Sequence, residues 1–144
     1  MSLLSYKKVG LFFDIEEIIS SGIELFGFEV KALRTGKGSL EGGKVLIRGG
    51  EAFVVGIFIP PFQEKNAPKN YDPFRIRKLL LHKSEIHTIA HHEEMKHLTA
   101  IPLSLYIKGS YIKCDIALVK KKQKGDKREN IKKDIARREI RQMK

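Results

Sequence analysis

The chain has one cysteine, Cys114, among its 144 residues. An internal disulfide is therefore excluded, and the reducing cytoplasm is the expected compartment. Long apolar runs are missing as well: no stretch approaches the roughly 20 residues that a membrane-spanning helix needs. Lys7 and Lys8 precede a hydrophobic patch, but Asp14, Glu16 and Glu17 interrupt it too early for a signal peptide. The sequence has no P-loop, no nucleophile elbow and no dinucleotide fingerprint. Glu16-Glu17 and Glu93-Glu94 are adjacent in sequence, so on a strand or a helix the members of each pair diverge and do not form a paired acid and base. His87, His91 and Glu94 share a helical face at i, i+4 and i+7, yet no second His or Cys cluster exists to complete a metal site. That trio reads as a solvated polar face. The absences together predict a non-enzymatic protein without cofactor or metal.

What the chain does have is positive charge, +11 in formal terms, with 28 Lys/Arg against 17 Asp/Glu. It is unevenly spread: the segment from Lys120 to Lys144, KKKQKGDKRENIKKDIARREIRQMK, carries about +8 of it and residues 1–119 about +3. This segment contains no aromatic and few aliphatics, so it cannot bury enough surface to offset its own ordering entropy. Its composition still tolerates helix. The division predicted is a folded body over 1–119 and a basic tail over 120–144, disordered alone. A sequence pI near 9.8 points to nucleic acid or to anionic lipid. Ile131 and Ile135 share a helical face while Ile140 falls on the far side, so a lipid-inserting stripe is poorly formed and nucleic acid is favoured.

The body is patterned for strands. KVLIRGGEAFVVGIFI (44–59) holds two β-rich runs around Gly49-Gly50, a pair suited to a primed hairpin turn, with Arg48 facing Glu51. Gly56 suggests a bend of the kind a small barrel needs, and Pro60-Pro61 end the run. In IPLSLYIKGSYIKCDIALV (101–119), Leu103, Leu105 and Ile107 form an inward row, matched by Ile112, Cys114, Ile116 and Leu118 across a Gly109-Ser110 turn. That register pairs Lys108 with Tyr111 and Tyr106 with Lys113 on the outward face. Rings alternating with ammonium groups suit unstacked bases and RNA backbone, although ordinary cross-strand packing accounts for the same residues. Helices are predicted around Phe28 to Leu33 and from Ser84 to Leu98, and residues 62–73 read as a loop whose Asp72-Pro73 starts a helical turn at Phe74. The fold class predicted is mostly β, an OB-fold-like antiparallel barrel with inserted short helices and a basic C-terminal tail.

Four blocks carry a resemblance: SGIELFGFEVKALR (21–34), Gly36-Lys37, DPFRIRKLLLHKSEI (72–86) and DKRENIKK (126–133). In order and spacing, from Tyr6 to Arg141, the chain resembles the small protein B family, the SsrA-binding proteins. The resemblance implies an OB-fold monomer that binds the tRNA-like domain of transfer-messenger RNA and delivers it to stalled ribosomes for trans-translation. It also implies a tail that enters the empty mRNA path, meets ribosomal RNA and becomes helical there. Glu29, Lys31 and Arg34 match the family's EVK-x-LR block, and Lys37 follows it. For Glu29, facing phosphate is electrostatically unfavourable. That leaves it orienting a neighbouring Arg, accepting a base or ribose proton, or forming a purely structural salt bridge. Arg75, Arg77 and Lys78 match the family's RxRK block as phosphate contacts, while Leu79 to Leu81 read as core. Together with Tyr106, Lys108, Tyr111, Lys113, Lys120, Lys121 and Lys122, they form the expected RNA-binding set. Asp126, Lys127 and Arg128 match the DKR of the tail, where Lys132, Lys133, Arg137, Arg138 and Arg141 complete the ribosome-binding set. The chain departs from the family pattern at Leu11 and Phe12, at Gly42 to Lys44, and at Lys121 to Gln123 and Gly125. The alternative is a generic basic OB-fold protein that binds single-stranded RNA or associates with ribosomes.

Overall fold

The computed structural model describes residues 2–63 and 68–122. In chain order the elements are β1 (Ser2–Ser5), α1 (Val9–Phe12), β2 (Phe13–Ile23), α2 (Gly27–Arg34), β3 (Lys44–Arg48), β4 (Glu51–Val55), β5 (Arg77–Leu80), α3 (Lys83–Met95), β6 (Thr99–Lys108) and β7 (Tyr111–Lys121). The strands form one antiparallel sheet in the order β1-β6-β7-β2-β5-β4-β3. The sheet curls until β3 packs against β6 without pairing to it, giving an OB-like barrel that is not fully closed. Gly43 lies at the closing seam, where a Cβ would fall 2.6 Å from Pro102 Cγ and 2.7 Å from Ile57 Cγ2. A side chain there would wedge the seam apart.

Both predicted hairpins form with the predicted pairing beside their turns, but the predicted inward row of the second breaks at a register shift between Pro102 and Ser104, which sends Leu103 to the opposite side of the sheet from Leu105. Arg48 pairs with Glu51 across Gly49 and Gly50, whose φ angles of 58° and 75° are the positive values a type I′ turn requires at both central positions. Tyr106 pairs with Lys113 and Lys108 with Tyr111. The predicted helices are α2 and α3. At the third position of each, a glutamate reaches back to the backbone N–H before the helix: Glu29 Oε1 accepts from Phe26 at 2.7 Å and Glu85 Oε1 from His82 at 3.0 Å. Each bond satisfies a donor that the first turn leaves without an intrahelical partner.

Elsewhere the chain departs from its sequence pattern. β4 ends at Val55, because the backbone turns at Gly56 and Phe58 bridges to Ser39 instead. Residues 73–74 form a turn and no helix: the Phe74 and Arg75 N–H groups donate to Asp72 Oδ1 and to its carbonyl, at 2.9 and 3.0 Å. Of Leu79 to Leu81, Leu79 is core and Leu81 packs half-buried against it, while Leu80 is 53% exposed, since alternate residues of a strand point to opposite faces. β2 is hidden in the sequence because the register shifts between Ile15 and Glu17, and such a bulge breaks the alternation that marks a strand. The main core gathers Leu33, Leu40, Val54, Ile57, Ile59, Ile89, Leu105, Ile116 and Leu118 inside the curl. A smaller cluster of Ile101, Ala117 and Val119 lies on the other side of the sheet, covered by Tyr6, Val9, Phe13 and Leu103. The run Ile116 to Val119 is therefore buried on both faces.

The boundary predicted after residue 119 falls inside β7. Lys120 pairs with Asp14 and Lys121 with Phe13; the Lys122 N–H donates to Phe12 O at 3.0 Å and its Nζ to Gly10 O at 2.7 Å. These three lysines belong to the body, since sheet pairing with β2 outlasts the apolar run that marked the strand in the sequence. The remaining tail positions Asp126, Lys127, Arg128, Lys132, Lys133, Arg137, Arg138 and Arg141 lie outside the described residues. No helix among the described residues is long and apolar enough to cross a membrane.

Candidate nucleic-acid interface

Glu29 is fully buried in the first turn of α2. Its Oε1 accepts from the Phe26 N–H and from Arg75 Nη2. Its Oε2 accepts from Arg75 Nε at 3.1 Å, from Arg77 Nε and Nη2 at 2.9 and 2.6 Å, and from the Tyr71 hydroxyl at 2.8 Å. Burial by itself would raise the carboxyl's pKa, but the donors from Arg75, the Phe26 N–H, Tyr71 and Arg77 together outweigh it and hold the group below its ordinary value. Glu29 is thus an anion whose acceptor sites are taken from inside, which leaves none for a ribose or a base. Of the roles open to it in the sequence, orienting arginines is the one the geometry supports.

The two arginines differ. Arg77 is fully buried and points its remaining N–H groups at the carbonyls of Ile57, Arg75 and Pro73 and at the Tyr71 oxygen, at 3.0–3.3 Å. It cannot reach a phosphate in solvent, so its expected role as a phosphate contact is corrected to that of an internal strut. The reason is strand alternation: Arg77 shares the inward face of β5 with Leu79, whereas Lys78 and Leu80 face outward. Arg75, two residues before Arg77 but ahead of the strand, is 23% exposed, and its guanidinium lies over the Phe26 ring, 4.0 Å from the centroid. One carboxylate faces two guanidiniums, so the cluster keeps one surplus positive charge, and Arg75 is the arginine through which it meets solvent.

Tyr71 and Phe26, absent from the expected set, complete this cluster. The Tyr71 hydroxyl, 2.7 Å from Ile59 O and 2.8 Å from Glu29 Oε2, is pushed up to about 12 by burial and then by the carboxylate beside it; it stays a neutral donor. Its ring meets Phe28 edge-on at 4.8 Å, and Phe28 lies 5.5 Å from Phe26. The sequence offered only a tyrosine flanked by Asn70 and Asp72 in a Pro-containing loop as a signal.

Lys31, Arg34 and Lys37 are exposed on and just beyond α2, with Lys37 Nζ 6.0 Å from the Phe62 ring. Lys78 makes a surface pair with Glu51 at 3.2 Å. Register joins Lys78 to the Tyr/Lys face. Phe53 is opposite Lys78, and Leu80, Gly22, Lys113 and Tyr106 form one cross-strand row over β5, β2, β7 and β6. Cross-strand partners share a face, so Lys78, Lys113, Tyr106, Lys108 and Tyr111 all project from one side of the sheet, with Gly22 contributing no side chain to the row. Tyr106 donates to or accepts from Ser20 Oγ at 2.8 Å, while Tyr111 is 72% exposed.

A curled antiparallel sheet of OB-like layout, with tyrosines and lysines on its outer face and a buried carboxylate bracing an arginine just ahead of β5, defines a small β-barrel module that presents a basic, aromatic surface. Residues 3–144 match the family model described as SmpB protein, and the chain belongs to that family. It is 42% identical over 128 residues to the SsrA-binding protein of Microcystis aeruginosa, covering 89% of this chain and 83% of the relative. It is also 42% identical over 133 residues to that of Burkholderia ambifaria, covering 92% and 90%. In three dimensions it is similar to a chain of the solved structure "tmRNA-SmpB: a journey to the center of the bacterial ribosome". The TM-score is 0.70 and the identity 35%, over 89% of this chain and 93% of the other.

Proposed function

We propose that this chain is a non-enzymatic adaptor that binds the tRNA-like domain of transfer-messenger RNA and delivers it to stalled ribosomes in the cytoplasm for trans-translation. The observation that carries the reading is its likeness, at a TM-score of 0.70 and 35% identity, to a chain of a tmRNA-SmpB structure on the bacterial ribosome. The outward lysines, tyrosines and Arg75 supply phosphate contacts and stacking surfaces for a folded RNA. The basic segment beyond Lys122 neutralises ribosomal phosphates and orders as it does so. Two measurements test this. In a competition assay a tRNA-like RNA should hold the protein against unstructured RNA as salt rises; equal loss of both would indicate a generic single-strand binder. Truncation after Lys122 should abolish tagging on stalled ribosomes while leaving most of the RNA affinity of the body. Full-rate tagging by the truncated chain would remove the tail from the mechanism.

A further inference from the structure

An open groove of about 700 Å³ lies beside the Glu29 cluster, lined by Phe26, Arg75, Ile76, Phe53, Lys78 and Glu24 among others, within the volume range of about 300–1,000 Å³ typical of small-ligand sites. Phe26 is 48% and Ile76 62% exposed, so apolar surface is left facing water there. The guanidinium of Arg75 is held over the Phe26 ring while Glu29 grips its Nε and Nη2. A flat cationic surface is therefore fixed before any ligand arrives, and little ordering remains to be done on binding.

We infer that this groove takes one unpaired nucleobase, an inference that rests on the RNA-binding reading above. The base packs against the Phe26–Arg75 pair, and planar aromatic and guanidinium surfaces are the surfaces on which bases stack. Lys78 takes the adjoining phosphate by leaving Glu51, its partner in a surface pair 38% and 52% exposed, the kind that contributes little to stability. Glu24 lines the groove as a carboxylate acceptor. It suits a base with an exocyclic amine, which adenine, cytosine and guanine carry and uracil lacks, so uridine binds weakest.

The chain has no tryptophan, so Phe26→Trp makes the groove's ring the sole indole in the full-length protein. It is titrated with short oligoadenylate, oligocytidylate, oligouridylate and an abasic ribose-phosphate oligomer of equal length, with binding followed in parallel by gel retardation. Quenching is expected with the first two, less with oligouridylate and none with the abasic chain. Phe26→Ala should weaken oligoadenylate binding by roughly 5- to 150-fold, the range measured for loss of one base–aromatic stack. It should fold normally, because the bond to Glu29 uses the Phe26 backbone N–H. Retardation without quenching, equal quenching by the abasic oligomer, or unchanged affinity of Phe26→Ala would overturn the groove and leave the RNA-binding reading standing. Quenching by an apolar peptide but by no oligonucleotide would assign the groove to a protein and overturn it too. If the unaltered protein retards neither a tRNA-like RNA nor any oligomer, both readings fall.

Discussion

Removing the Glu29 carboxylate is the sharpest perturbation of this fold. In Glu29→Ala the Arg77 guanidinium, with no solvent-exposed surface, keeps hydrogen bonds to the Ile57, Arg75 and Pro73 carbonyls but loses the charge that balanced it. Breaking a buried pair from one side costs about 3–5 kcal/mol, a large part of the roughly 5–15 kcal/mol that a domain has in all. At about 4 °C per kcal/mol for a domain of this size, the unfolding midpoint should fall by roughly 12–20 °C, measured by far-UV circular dichroism and by urea titration. Replacing the pair outright, as Glu29→Leu with Arg77→Met, should recover only part of that loss, because apolar residues of similar volume need no counter-charge but leave the Ile57, Arg75 and Pro73 carbonyls without the Arg77 donors. A loss below about 1 kcal/mol in Glu29→Ala, the size expected of an exposed pair, would refute the reasoning. Acid gives a second check with a fixed sign. The folded-state carboxyl titrates below its ordinary value, so its contribution is whole above the unfolded value of about 4.3 and fades as the pH falls toward the folded one. The stability gap between the unaltered protein and Glu29→Gln should be flat near neutrality and shrink below about pH 4.

Four further outcomes follow from single positions. Tyr71→Phe keeps the ring against Phe28 but removes the hydroxyl shared with Glu29, Ile59 and Arg77; urea denaturation should show a loss of about 1–3 kcal/mol. Gly43→Ala sets a methyl 2.6 Å from Pro102 Cγ at the barrel seam and should destabilise by about 1–3 kcal/mol. Gly27→Ala, with open space around its Cβ position at the start of α2, serves as the neutral or slightly stabilised control. Cys114 is fully buried, and its thiol is pushed up to about 12 by burial and then by Asp115; alkylation at pH 8 should be negligible in the native protein and complete in denaturant.

How much of the site was legible depends on how locally each part is encoded. The hairpin of β3 and β4 was readable because Gly49-Gly50 fixes a turn and a turn fixes register. The Lys108–Tyr111 and Tyr106–Lys113 pairs followed in the same way from Gly109-Ser110. β2 was not readable, since its bulge after Ile15 disrupts the period of two. Nor was the second small core, because Ala117 and Val119 are covered by the N-terminal segment, which lies more than a hundred residues away in sequence. For the arginines, the motif marked Arg75, Arg77 and Lys78 as a basic group but not their directions.

By itself the sequence determined the charge surplus and its concentration beyond residue 119, the β-rich body, the turns and the family, because composition, turn chemistry and motif order are all properties of neighbouring residues. Only the tertiary structure decided that Glu29 is an internal anchor, that Arg77 is buried while Arg75 meets solvent, and that Lys78 shares a face with the Tyr/Lys hairpin. These depend on which strands become neighbours, and strand order joins residues some 46 to 86 positions apart, the separations of Glu29 from Arg75 and of Ser20 from Tyr106. No local pattern encodes contacts at that range; they arise when the sheet curls and the interior closes over one carboxylate.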